Sequence, residues 1–198
     1  MTLVLLDTNA YLRLAKRIKP LLGVAFGQKS YVLTILKDVE TEVQRSPRLK
    51  ELFPWFEDAG IATERNAKTM RLSTTEKEDL AFTVSVLQGT VEQHISIFTR
   101  NGRSTPSPVD CRVLAFGQIR EAVVVTDDLG MHTLAKLVDI KIWHGYELLH
   151  KMLGAKIIDR ALVQEIYAAL EVNNDLPASW VAAKHTLFQK VFGKTPQA

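Results

Sequence analysis

Cysteine is almost absent: the chain of 198 residues has one, Cys111. This excludes an intramolecular disulfide and a multi-cysteine zinc site, and it agrees with a reducing, cytoplasmic setting. No apolar run approaches the ~20 residues needed to span a bilayer, so no membrane partner is expected. No basic leader precedes an apolar stretch, and no signal peptide is expected. The five histidines, His94, His132, His144, His150 and His185, are scattered and lack the spacing of a metal-ligand pair. His132 is expected to be an exposed helix residue. There is no Gly-x-Ser-x-Gly elbow and no glycine-rich loop ending in Gly-Lys-Ser/Thr. A serine hydrolase and a P-loop nucleotidase are therefore unsupported. Internal repeats and low-complexity segments are also lacking.

What is present is the composition of an ordinary globular protein, 46% apolar and 24% charged. The length suits one domain with a sizeable core. Net charge is +3 and the pI is near 9.0. Such a mild excess permits a phosphate-backbone partner without demanding one.

The most informative stretch is Val4-Leu5-Leu6-Asp7-Thr8-Asn9. Four apolar residues, Leu3 to Leu6, run into an aspartate. A run this short reads as a buried parallel strand with a carboxylate at its C-terminal tip. Ligands of open α/β sheets bind at that edge. The pattern recurs at Ala122-Val123-Val124-Val125, followed by Thr126-Asp127-Asp128. Each aspartate could merely cap the helix that follows. Two such strands together point further, to a shared acidic edge.

The intervening chain alternates. A helix is predicted over 9–19, a strand over 31–35 and a helix over 36–45. The apolar stripe of that helix is Leu36, Val39 and Val43. At 100° per residue Glu40 lies at the stripe's edge, whereas Glu42 lies beyond the opposite edge. Glu40 is therefore the preferred second acid and Glu42 the fallback. Ile61-Ala62-Thr63 reads as a short strand. Ser73-Thr74-Thr75-Glu76 starts a helix that Gly89 should close. Arg100 to Pro108 is a surface loop, and Val109-Asp110 opens another helix. Lys141-Ile142-Trp143 reads as an edge strand. From Tyr146 onward the pattern is helical, with Asp159 capping a helix to Val172 and a last helix over 177–192. The predicted architecture is three-layer α/β/α with a mainly parallel central sheet and extra C-terminal helices.

Asp7, Glu40, Asp110 and Asp128, with Asp127 beside the last, would share one side of that sheet. Crowded carboxylates raise one another's pKa, and a divalent cation removes the conflict. Hard oxygen donors without His or Cys select Mg²⁺ or Mn²⁺ over zinc. The natural chemistry is metal-assisted phosphodiester hydrolysis. Asn9 could hydrogen-bond a ligand carboxylate or a metal-bound water. Arg13, Lys16, Arg17 and Lys19 follow the first acid, and Arg100 and Arg103 precede the third, so a polyanion could be held beside the metal.

These segments resemble a PIN domain, the nuclease fold of the VapC-type toxins and of several RNA-processing enzymes. Val4 to Asn9 resembles the family's opening strand with its Asp-Thr-Asn tip. In Thr34 to Glu40 a Thr ends the second strand and an acid follows six residues on, as in the family. Ser73 to Gly89 is similar to the helix preceding the third motif. Pro108 to Ala115 resembles the proline-preceded Asp that begins the next core helix, and Val123 to Asp128 the strand ending in Thr-any-Asp. The resemblance covers residues 1–145. Residues 146–198 are then a C-terminal helical extension packed on the same domain.

The resemblance implies a Mg²⁺- or Mn²⁺-dependent endoribonuclease, possibly the toxin of a type II toxin–antitoxin pair. Asp7, Glu40, Asp110 and Asp128 would form the catalytic acids, with Asp7, Asp110 and Asp128 as metal ligands. Asn9, Thr126 and Asp127 would stand behind them. Arg13, Arg100 and Arg103 would bind RNA. An antitoxin protein and a second copy of the chain are the further partners implied. Two rivals from other classes are a catalytically weak PIN-like module that binds RNA or protein, and an acidic-site phosphatase. The phosphatase requires an Asp-x-Asp that Asp7-Thr8-Asn9 does not supply.

Overall fold

The computed structural model describes residues 1–100, 104–184 and 186. In chain order the elements begin with β1 (Thr2–Leu6), α1 (Thr8–Leu14), β2 (Ala25–Phe26), β3 (Tyr31–Thr34) and α2 (Lys37–Arg45). Next come α3 (Pro47–Leu52), a 3-10 turn (Pro54–Glu57), α4 (Ala59–Lys68), α5 (Thr74–Gln93), α6 (Ile95–Phe98) and α7 (Pro108–Ile119). The chain continues through β4 (Val123–Val125), α8 (Leu129–Leu137), β5 (Ile142–Trp143), α9 (Gly145–Gly154), α10 (Arg160–Val172) and α11 (Ala178–Ala183).

The strands form one sheet in the order β2-β3-β1-β4-β5. β1 lies at its centre, parallel to β3 on one side and β4 on the other. β5 continues the parallel pairing beyond β4, and β2 adds an antiparallel edge to β3. Val4, Leu5 and Leu6 are fully buried, which is why β1 reads as an unbroken apolar run rather than an alternating one. Their side chains nonetheless alternate between two cores. Val4, Leu6, Val123 and Val125 pack with Tyr11 and Leu14 of α1 and Val39 and Val43 of α2. The same cluster takes in Leu148 and Leu149 of α9, Val163 and Ile166 of α10, and Trp180 of α11. Leu5 and Val124 pack with Leu80 and Leu87 of α5, Leu114 and Phe116 of α7, and Leu134 of α8. The result is helices on both faces of a mainly parallel sheet, as the sequence predicts. Burying one such leucine contributes about 1.5–3 kcal/mol, so β1 is firmly anchored at the centre of the sheet.

Local chemistry sets most of the helix ends. Ser73 and Glu76 form a reciprocal capping box at α5, and Asp159 accepts from the Leu162 amide at α10. Three predicted elements differ. Residues 61–63 lie inside α4 rather than in a strand, because Ile61 and Arg65 pack inward at helical spacing. α5 runs through Gly89 to Gln93, where Val91 is buried. Burial of Leu87 and Val91, four residues apart, outweighs the ~1 kcal/mol that a mid-helix glycine costs. α1 ends at Leu14 rather than near Lys19. Arg103 and most of the predicted 177–192 helix beyond α11 lie outside the described residues. No helix among the described residues is long and apolar enough to cross a membrane.

Candidate active site

The register of the central strands brings the two acidic segments together. Leu6 pairs with Val125, and the Asp7 amide donates to the Val125 carbonyl at 3.0 Å. Asp7 and the turn Thr126-Asp127-Asp128 therefore leave adjacent parallel strands at the same C-terminal edge.

Asp7 caps α1, its Oδ1 accepting from the Ala10 amide. Its residue is 6% exposed. Burial pushes its carboxyl up to about 7, and the nearby Asp127 charge adds to the rise. A hydrogen bond with Thr126, the Ala10 amide and the Arg13 guanidinium oppose it without restoring the ordinary value. Thr126 is fully buried, and its hydroxyl also accepts from the Asp128 amide at 3.1 Å. One threonine thus ties the first acid to the last.

Asp110 and Asp128 form a second pair. Asp110 sits in the first turn of α7, where it and Ser107 make a capping box. Its Oδ2 accepts from the Ser107 amide at 2.7 Å. Burial raises its pKa despite those bonds, and the charge of Asp128 raises it further. Asp128 caps α8 and is exposed, its Oδ1 accepting from the Met131 amide at 2.8 Å. In both residues one oxygen serves the helix, and the other lies outside those bonds.

The two glutamates of α2 diverge. Glu42 Oε2 accepts from the Thr8 hydroxyl at 2.6 Å, which puts it one residue from Asp7. Glu40 turns towards the buried Arg65, 4.0 Å away, and accepts from Gln44. Arg65 in turn stacks on the Phe56 ring and donates to the Phe56 carbonyl at 2.7 Å. The stripe argument set Glu40 at the edge of the apolar stripe, and there its neighbour is Arg65. Asn9 is exposed at the mouth of the cleft described below.

Asp127 has more partners than any other acid here. Its side chain is 3% exposed. Oδ1 accepts from the Gly145 amide at 3.1 Å, Ser179 Oγ at 3.2 Å and Trp180 Nε1 at 3.0 Å. Arg13 Nη1 lies 3.4 Å from Oδ2, and His144 Nδ1 lies 3.5 Å from Oδ1. Burial alone would raise the Asp127 pKa. The bonds from His144 and Gly145, the Arg13 charge and the Trp180 N–H reverse this and hold it below the usual carboxylate range. His132 is not the exposed residue expected. Its ring stacks on His144 with centroids 3.7 Å apart, and Nε2 lies 2.9 Å from the Thr126 carbonyl. Burial, with a smaller contribution from His144, lowers its pKa. The two histidines are twelve positions apart in sequence, so only the β4–α8–β5 crossover reveals the pair.

Of the predicted RNA-binding cations, Arg100 is exposed, while Arg13 is drawn inward. Arg13 Nε and Nη2 donate to the two oxygens of Asp175 at 3.0 and 2.7 Å, in addition to the Asp127 contact. Beside it, Asn9, Lys16, Arg17, Arg48 and Trp55 line a cleft of about 970 Å³. Lys16 and Arg48 are exposed.

The donor set matches Mg²⁺ or Mn²⁺ in type. Asp7, Asp110 and Asp128 are hard carboxylates, and two of them are held in surroundings that penalise their charge. Among these acids and Asp127, Asp7 feels the charge of Asp127, and Asp110 that of Asp128. Among the described residues no three His, Cys, Asp or Glu side chains are gathered closely enough to enclose a cation.

Comparison with known proteins gives little more. No family model matches the chain, and no curated protein matches it. The chain is similar to the solved structure titled "Crystal Structure of FitAcB from Neisseria gonorrhoeae", with 14% sequence identity and a TM-score of 0.44. The match covers 72% of this chain and 98% of that one.

Proposed function

We propose that this chain is a metal-dependent endoribonuclease of the PIN kind. The observation that carries the reading is the placement of Asp7 and Asp128 at the tips of adjacent parallel strands, with Asp110 in electrostatic reach of Asp128. Asp7, Asp110 and Asp128 would hold Mg²⁺ or Mn²⁺. Glu42, anchored by Thr8, is better placed than Glu40 to serve as the fourth acid. When bound, such a cation supplies Lewis-acid activation of water and of the phosphodiester. The protein's own groups do the rest. Thr126 fixes the spacing of Asp7 and Asp128, and the caps on α1, α7 and α8 fix the carboxylate orientations. Lys16, Arg17 and Arg48 offer a backbone-binding surface beside Asn9, and Trp55 offers a stacking face. Arg13 contributes from behind, through Asp127 and Asp175, rather than by gripping phosphate. Helices α9, α10 and α11 pack in the same core as α1, which supports reading the C-terminal helices as an extension of the one domain.

In the toxin form of this reading a small antitoxin covers the same cleft. Growth arrest on induced expression, relieved by co-expression of a neighbouring small gene, would support that form. The second reading, a catalytically weak RNA- or protein-binding module, draws on the absence of a gathered three-acid cluster among the described residues. The deciding experiment is cleavage of labelled single-stranded RNA with Mn²⁺, with EDTA, and by Asp7→Asn and Asp128→Asn. Metal-dependent cutting lost in both variants supports the nuclease. A folded wild type that binds RNA without cutting it in either metal supports the binding module.

A further inference from the structure

Asp127 occupies the position between Thr126 and Asp128, yet its carboxylate is buried. It is spent on groups from three other parts of the chain. Arg13 comes from α1, and Gly145 with His144 from the start of α9. Ser179 and Trp180 come from α11. Trp180 is 1% exposed, and its ring meets Tyr146 edge-on. A second tie runs parallel to the first. Asp175, just after α10, clamps the far side of the Arg13 guanidinium with a bidentate pair, the strong geometry for such a contact. Arg13 is thus held between Asp127 of the acidic turn and Asp175 of the C-terminal segment.

Packing at Gly145 shows how close this arrangement is. A Cβ there would stand 2.9 Å from Trp180 Cζ2 and 3.0 Å from Asp127 Oδ2. Only a glycine lets the indole and the carboxylate meet over the α9 N-terminus.

From this geometry we infer that Asp127 is a positioning residue that couples the C-terminal helices to the acidic turn. The segment carrying Asp175, Ser179 and Trp180 is then part of the site's framework. Asp127 holds the turn, and the turn holds Thr126 against Asp7 and presents Asp128. The effect on catalysis rests on the nuclease reading, but the mechanical coupling does not.

The test uses the full chain and three variants. Trp180→Phe keeps a six-membered aromatic ring and deletes the N–H donor together with the rest of the indole. Asp127→Asn keeps the shape and removes the charge. Ser179→Ala removes one donor at a partly exposed position and guards against a Trp180→Phe variant that fails to fold. Two readouts are taken: amide exchange across residues 126–131, and Mn²⁺-dependent cleavage of labelled RNA at varied RNA concentration. A hydrogen bond to a charged group is strong enough that losing the Trp180 donor should speed exchange over 126–131 by about tenfold or more. Exchange in α5 should stay unchanged. Cleavage at saturating RNA should fall by about tenfold, with the half-saturating RNA concentration unmoved, because the turn and not the RNA surface is affected. Ser179→Ala should shift both readouts in the same direction by a smaller factor. Unchanged exchange over 126–131 in Trp180→Phe and Asp127→Asn would overturn the coupling. A loosened turn with undiminished cleavage would overturn its role in the site. If the wild type cuts no RNA, the nuclease reading fails, and the exchange measurement alone decides the coupling.

Discussion

Replacing Asp7 by Asn should make the metal-free protein more stable at neutral pH and should remove its metal response. Asp7 is held at about 7 in the folded chain against an ordinary value of 3.8, chiefly by burial. An acid whose folded pKa is raised retains its proton longer in the folded state than in the unfolded one. Stability is therefore undiminished below about pH 4 and falls as pH rises through the interval up to 7. The full displacement corresponds to about 4 kcal/mol at pH 8 and about 2 kcal/mol at pH 5. Asparagine keeps the shape, and its oxygen can still accept the Ala10 amide, since Asn caps helices about as well as Asp. Urea denaturation of both proteins in EDTA at pH 5 and pH 8 measures this directly. The variant should gain up to about 4 kcal/mol at pH 8 and roughly half as much at pH 5. Added Mn²⁺ should stabilise the wild type more at pH 8 than at pH 5, since the cation binds the anion, and should not stabilise the variant. A variant less stable than the wild type at pH 8, or a gain that does not shrink towards pH 5, would refute the reasoning.

Four further outcomes are expected. Gly145→Ala should destabilise by about 1–3 kcal/mol in urea titration, because its Cβ would press on Trp180 and Asp127. Ser73→Ala should cost about 1 kcal/mol through loss of the α5 capping box, with RNA cleavage unchanged. Glu42→Gln should reduce cleavage by tenfold or more, at a magnitude typical of losing an active-site carboxylate role. Glu40→Gln should instead lower the urea midpoint slightly, through Arg65, and leave cleavage near wild type; the opposite pattern would return the second acid to Glu40.

The parts of the fold set by short-range chemistry were legible in the sequence. The Leu3 to Leu6 run marks the central strand because both its faces are buried, and Val123 to Val125 marks its neighbour for the same reason. Ser73 and Asp159 announce their helices because a cap is a contact over three residues. Glycine misled at position 89, where burial of Val91 keeps α5 going. What could not be read depends on distant contacts. Trp180 lies 53 positions from Asp127, and Asp175 lies 162 from Arg13. Neither pair has a periodicity to betray it. The same limit explains Arg13, whose position beside Asp7 suggests a phosphate contact while its partners lie at the other end of the chain. A hint was present in the doubled acid at Asp127-Asp128. Only one of two consecutive carboxylates at a strand tip can follow the helix cap, and the other must find partners elsewhere.

Helix capping and the metal-ligand role proposed above do not exclude each other. Asp7, Asp110 and Asp128 all cap helices. A cap uses one carboxylate oxygen and fixes the other in direction, and it sets the group at the positive end of a helix. That is also what a rigid ligand needs, since a carboxylate free to rotate must be ordered again at every binding event. What separates the three from an ordinary cap such as Asp159 is their company. Asp7 faces Asp127, and Asp110 faces Asp128. Asp127 spends its charge on Arg13, Trp180 and the α9 N-terminus. The charge penalty of burial thus falls on Asp7 and Asp110, and on the nuclease reading proposed above a divalent cation would offset it.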